Sequence, residues 1–274
     1  MTDFRKKEFK DTIEERPIVI WGARMTGIGV TRYALSNGIK VLAFIDSDTA
    51  LHGNTVSGVK VDAPENLYLY KENNPNLLLI VAVSIKEAEI MLTLDRLGLN
   101  DLDHIIFSEY SDVFYTVDIV GTCNLKCLSC AHSIKNHSVP RGIMRFDNFK
   151  RVVDKIVDEA RLVTHISLYS WGEPFLHPDL NKIIKYLHER NIAVALSSNL
   201  SIRNTDLIDK VIAESPDYLK ISTSGYYENA YDNTHSGGDV NLVKSNLYRL
   251  RHLVDKYQAN TFVDVNYHLY RDNN

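Results

Sequence analysis

Three cysteines stand within eight positions, Cys123-Asn-Leu-Lys-Cys127-Leu-Ser-Cys130, and the rest of the chain holds none. An odd, crowded set fits neither a disulfide framework nor an oxidising compartment, so metal ligation is the first chemistry to consider. Two metal chemistries suit the C-x3-C-x2-C spacing. A cubane iron–sulfur cluster normally takes four thiolates, and three close ones leave one iron open to bind a small molecule directly. A structural zinc would use the same three thiolates with His132 or His137 as the fourth ligand.

Other groups suited to binding follow in order. The segment Ser170-Trp171-Gly172-Glu173-Pro174-Phe175-Leu176-His177-Pro178 places a glycine, an acid and a proline together. Gly172 lets the backbone come close to a ligand, Pro174 fixes the turn, and carbonyls with the Glu173 carboxylate can accept hydrogen bonds from an ammonium. Read alone, the same residues make an ordinary βα loop with a solvated acid. Ser197-Ser198-Asn199 and Ile221-Ser222-Thr223-Ser224-Gly225 close two later apolar runs, although serine and asparagine also favour turns for local reasons. His235 and His268 are placed to face a barrel interior. A lone histidine there is more often a structural donor, so neither is given a role and no catalytic residue is singled out.

These motifs need elements to carry them. From residue 114 the pattern reads strand 115–120, the cysteine loop, a helix over 147–160 with Asp147 as N-cap, and strands over 163–169, 192–196, 218–222 and 262–269. Helices near 179–190, 205–214 and 239–256 separate most of them. Five parallel strands with helical crossovers curl into a full or partial barrel, and ligands sit at the C-terminal strand ends, where every motif named above falls. Upstream, strands over 17–21, 41–45, 77–83 and 104–107 alternate with helices over 27–36 and 86–97, which predicts a small Rossmann-like parallel sheet. The expected class is therefore α/β, with a Rossmann-like domain over 1–110 and a partial (β/α) barrel over 111–274.

In the first domain, Trp21-Gly22-Ala-Arg24-Met-Thr-Gly27-Ile-Gly29, followed by Asp46 at a strand end, has the layout of a phosphate-binding turn with an acidic ribose contact. The middle glycine of that pattern is Arg24, which either blocks a pyrophosphate or pairs with an anion. Gly22, Arg24, Gly27 and Asp46 are thus candidates for nucleotide or nucleotide-sugar binding, against a scaffold that docks a partner or substrate. The chain has 274 residues, 45% hydrophobic and 24% charged, with net charge −4, enough for two cores and without the basic footprint of a nucleic-acid or anionic-membrane binder. The first ten residues lack a signal-peptide core and no run approaches about 18 apolar residues, so a cytoplasmic protein is expected.

The cysteine loop after a first barrel strand, with Gly172-Glu173-Pro174 one βα unit later, resembles the radical S-adenosylmethionine (radical SAM) superfamily over about residues 114–270. The resemblance implies a [4Fe–4S] cluster on Cys123, Cys127 and Cys130 whose open iron is chelated by the amino and carboxylate groups of S-adenosyl-L-methionine. It further implies cofactor contacts at Gly172, Glu173, Pro174, Ser198 and Ser222. The implied reaction is reductive cleavage to a 5′-deoxyadenosyl radical, which takes a hydrogen atom from an unidentified small-molecule, nucleotide-sugar or peptide substrate, with an electron donor such as flavodoxin or ferredoxin. Ser129 stands where the family often has an aromatic residue near the adenine, and Ser224 where an aspartate is frequent. The barrel is expected to lack its usual sixth strand, and no cysteine remains for auxiliary clusters. The segment around Phe44-Ile45-Asp46-Ser47-Asp48 resembles Rossmann-like modules attached to sugar-modifying acyltransferases and some methyltransferases. The rival readings are a nucleotide-sugar-binding protein with a zinc-stapled, non-catalytic second domain, and a non-catalytic fragment.

Overall fold

The apolar run Ile18–Trp21 (β1) is buried at every residue and is a central strand of a six-stranded sheet. The structure, a computed structural model, describes residues 9–83, 85–111, 114–130, 133 and 141–270. Two compact units result, one of residues 1–114 with 153–165 and 190–193, the other of residues 115–152, 166–189 and 194–274.

In the first unit β1 is followed by helix α1 (Met25–Ser36) and strand β2 (Val41–Ile45). A hairpin comes next, β3 (Thr55–Val56) and β4 (Val59–Asp62), antiparallel around Ser57 and Gly58 with φ of 49° and 76°. Two positive φ values in succession are what a two-residue hairpin of the right twist needs, and glycine supplies one at no steric cost. Helix α2 (Leu67–Asn73), strand β5 (Leu78–Val81), helix α3 (Glu87–Arg96) and strand β6 (His104–Ile106) complete it. The sheet order is β3-β4-β2-β1-β5-β6 with every pair except β3–β4 parallel. Counted by appearance, the parallel strands run 3-2-1-4-5, the order of a doubly wound sheet. The hairpin and α2 were not expected, although Ser57-Gly58 between short apolar runs is a hairpin signal. Val19, Trp21, Ile45, Leu79, Val81, Ile90 and Leu94 form one buried cluster, in which α3 covers the sheet with its apolar stripe.

The second sheet has five parallel strands in chain order: β7 (Tyr115–Thr116), β8 (His165–Ser167), β9 (Ala193–Ser198), β10 (Tyr218–Thr223) and β11 (Phe262–Tyr267). Helices α4 (Phe146–Glu159), α5 (Leu180–His188), α6 (Thr205–Ala213), α7 (Glu228–Asp232) and α8 (Val240–Tyr257) lie between them in sequence. The five strands of the expected partial barrel are present. The first is shorter than expected, since pairing with β8 stops at Thr116 and Val120 instead bridges Ile143. Helix α4 begins at Phe146, so Asp147 is inside the first turn, where its carboxylate meets Lys150 Nζ at 2.9 Å, and is not the cap. Among the described residues no helix is long and apolar enough to cross a membrane.

Candidate active site at the strand ends of the second sheet

Beyond β7, β8 and β9 the chain leaves the sheet in loops that are tied together by named hydrogen bonds. The Glu173 amide donates to Thr122 O at 2.9 Å, which fixes the Gly-Glu-Pro turn against the cysteine loop. A Cβ on Gly172 would stand 1.6 Å from Val120 O, so only glycine allows that approach. The Glu173 carboxylate is 2% exposed and accepts from two backbone amides, Phe175 N at 3.1 Å and Asn199 N at 2.9 Å. Burial pushes its carboxyl up to about 7, while bonds from Asn199, Phe175 and Ser198 hold it from rising further.

Asn199 is the hub. Its Nδ2 points at Cys123 Sγ at 3.6 Å and at Asn124 Oδ1 at 3.0 Å, and its Oδ1 accepts from Ser201 N at 2.8 Å. Asn124 Nδ2 in turn donates to Ser201 O at 2.8 Å, and Leu125 N approaches Cys123 Sγ at 3.5 Å. Two N–H groups thus face one sulfur, the arrangement that stabilises a thiolate and tunes a metal–sulfur centre. The three thiols are half-buried and lie within electrostatic reach of one another. Burial, then the charges of Cys123 and Cys130, push Cys127 up to about 11, and burial also raises Cys123. Such thiols are poor free thiolates, and a bound cation is what would deprotonate them, so this donor set fits a metal cluster. Among the described residues no three His, Cys, Asp or Glu side chains converge on a single-ion site, and His132 and His137 lie outside the described residues.

The expected cofactor contacts take different positions. Pro174 is buried in the turn and Gly172 is partly exposed. Ser198 is 1% exposed, its Oγ accepts from Leu200 N at 2.9 Å, and it also bonds Glu173. Ser222 on β10 is partly exposed, with its Oγ 3.4 Å from Ser197 Oγ. Reading the sequence marks the Ser198-Asn199 pair but takes Ser198 alone as the contact, and it passes over Asn124, the asparagine after Cys123. Ser129 Oγ is 2.9 Å from the hydroxyl of Tyr270. His235 is buried, with Nδ1 2.5 Å from Ser224 Oγ and its ring stacked 5.0 Å from Tyr231. Its place is structural: burial, then His268, lowers it to about 4, so it stays neutral.

In the first unit, Gly22, Arg24, Gly27 and Asp46 line one open cavity of about 1160 Å³, together with Val83, Lys86 and Arg96 among others. It lies at the C-terminal ends of β1, β2 and β5, where the strand order reverses. Asp46 accepts from Ala23 N at 2.8 Å and Asp48 N at 2.9 Å, while Arg24 pairs with Asp48 at 2.9 Å.

A profile described as "Radical SAM superfamily" matches residues 117–266. Residues of this chain are 28% identical over 116 positions to the AdoMet-dependent heme synthase of Methanosarcina barkeri (strain Fusaro / DSM 804), covering 42% of this chain and 32% of that protein. They are 27% identical over 94 positions to the antilisterial bacteriocin subtilosin biosynthesis protein AlbA of Bacillus subtilis (strain 168), covering 34% and 20%. The matches therefore span about a third or less of those relatives. Among solved structures, a histidine-tagged anSMEcpe with bound AdoMet is 22% identical over 55% of this chain and 42% of that one, with a TM-score of 0.40.

Proposed function

The chain belongs to the radical SAM superfamily, whose members use a [4Fe–4S] cluster and S-adenosylmethionine, and from that premise we propose that it is itself such an enzyme, acting on a substrate not yet identified. The observation that carries the reading is the tie from Glu173 through Asn199 to Cys123, which gathers three separate strand-end loops around the cysteines. When bound, the pair of cofactors supplies a 5′-deoxyadenosyl radical able to take a hydrogen atom from a substrate. Cys123, Cys127 and Cys130 would hold the cluster. The carbonyls of the Gly172–Pro174 turn would accept from the methionine ammonium, because the Glu173 carboxylate is already engaged by two amides. Glu173 and Ser198 then act as positioning residues. Ser222, with its hydroxyl partly exposed beside Ser197, is the serine suited to a ribose or carboxylate contact.

Anaerobic reconstitution with iron and sulfide tests this. About four irons and four sulfides per chain are expected, with 5′-deoxyadenosine formed after chemical reduction. Stoichiometric zinc without sulfide would instead establish the zinc-stapled reading.

A second reading concerns the first unit and rests on its cavity. Its position at the switch point of a doubly wound sheet, with Gly22 at φ 109° and Asp46 on the rim, supports a nucleotide or nucleotide-sugar site like those of sugar-modifying enzymes. Calorimetry of the full chain against UDP-sugars, ADP and NAD should show binding of at least one, weakened by Asp46→Ala. Silence across the panel would leave the module as a docking scaffold.

A further inference from the structure

Along β10 the fully buried Leu219 and Ile221 alternate with the partly exposed Lys220 and Ser222. The register sets Lys220 against Ser197 on β9 and Asp264 on β11, so these residues share one face of three adjacent strands. Tyr169, just past β8, reaches the same face, because Lys220 Nζ lies 5.3 Å from its ring centroid. On that face the Ser197 and Ser222 hydroxyls stand 3.4 Å from each other. Asp264, the nearest acid by register, accepts from the Tyr218 hydroxyl at 2.7 Å. Among the described residues the Lys220 ammonium has the Tyr169 ring and no carboxylate within ion-pair distance. The charge of Lys220 also acts on His268, which stands at the end of β11.

Several lysines and arginines on this protein's helices are paired with a neighbour one turn away, as Lys150, Lys182 and Arg251 are. Lys220 differs in lying on a sheet face made of hydroxyls and an aromatic ring, with its charge left for something else. A ring beneath an ammonium holds the cation by its face without neutralising it. A hydroxyl on the same face can donate to an anion that the ammonium attracts, and lysine binds such groups as a point charge.

We propose that Lys220, with Tyr169 beneath it and Ser197 on the same face, forms a subsite for an anionic group of the substrate, a carboxylate or a phosphate. It lies two residues deeper along β10 than the end to which the cofactor is assigned, and this inference rests on that assignment. The substrate is then acidic as well as polar, which sets it apart from a neutral sugar or an apolar peptide side chain.

The test is nuclear magnetic resonance of the full chain with its lysines reductively 13C-methylated, which keeps their charge. Lys220→Met and Lys220→Arg each identify the Lys220 signal by its loss. Inorganic phosphate and acetate are titrated separately. The Lys220 signal should shift saturably with at least one of them, at a midpoint about tenfold below that of the other lysines. Response to phosphate alone marks a phosphorylated substrate, and response to acetate alone a carboxylic acid. Movement no different from that of the surface lysines overturns the proposal. Repeating the titration on cluster-loaded chain saturated with S-adenosylmethionine separates the two sites. A response that persists supports a substrate group, whereas a response that the cofactor blocks shows that Lys220 serves the cofactor's own carboxylate and overturns the proposal. Should the chain take up no cluster, the cofactor reading fails, while the titration of the metal-free chain still decides whether Lys220 binds anions.

Discussion

Cys127→Ala is expected to reduce iron in the anaerobically reconstituted chain from about four atoms to a small fraction and to abolish 5′-deoxyadenosine formation, because two thiolates hold a cubane poorly. The chain should remain folded. Cys127 is only half-buried and, among the described residues, makes no side-chain hydrogen bond on which the cysteine loop depends, whereas Lys126 N to Ser236 O at 2.8 Å and Asn124 to Ser201 hold that loop independently. Circular dichroism of the variant should match the parent, which separates loss of a ligand from loss of a fold. A full cluster in the variant would remove Cys127 from the ligand set. Assembly should also depend on pH. Burial and the neighbouring thiols raise Cys127 to about 11, so each thiolate formed on assembly releases a proton against that bias, and uptake should be faster at about pH 8.5 than at about pH 7. Cys123 should be the more sensitive position, since its sulfur also meets Asn199 Nδ2 and Leu125 N.

The order of motifs at the strand ends is legible in the sequence because it depends on two robust signals, the spacing of the cysteines and the recurrence of short apolar runs that each finish in small polar residues. Buried parallel strands such as Ala193–Ser198 and Ile18–Trp21 announce themselves by continuous hydrophobicity. Side-chain direction is not announced in that way. Nothing in Gly172-Glu173-Pro174 says whether the acid faces a ligand or the backbone, and the structure has it accepting from the amides of Phe175 and Asn199. A reading of the sequence sees the Ser198-Asn199 pair but not the reach of Asn199 to Cys123, since that reach depends on the closeness of two loops 76 residues apart. The hairpin over 55–62 escapes it because β3 is two residues long, too short for any periodicity. Lys220 shows the opposite case, a lysine inside an apolar strand pattern that becomes meaningful only once the register with Ser197 shows which face it shares.

The second large effect belongs to Glu173. Its carboxyl rises from an ordinary 4.5 to about 7, chiefly through burial, so between these values the folded chain holds a proton that the unfolded chain has released. Stability attributable to this group therefore falls as pH rises through 4.5 to 7 and is level above that, by an amount of about 3 kcal/mol. Glu173→Gln cannot ionise and loses that slope. It carries a second penalty that does not vary with pH, because a carboxamide has one acceptor oxygen where two amides, Phe175 and Asn199, need one each. The amide left facing an NH2 group costs about 1–3 kcal/mol. At about pH 5 the variant should thus be less stable than the parent by about that amount, and by about pH 8 the deficit should close or reverse. Urea unfolding of the metal-free chain across this range measures the difference, in which every other titrating group cancels. A difference that stays constant with pH would mean that Glu173 titrates in the folded chain as it does in the unfolded one, with the bonds from Phe175, Asn199 and Ser198 fully offsetting its burial.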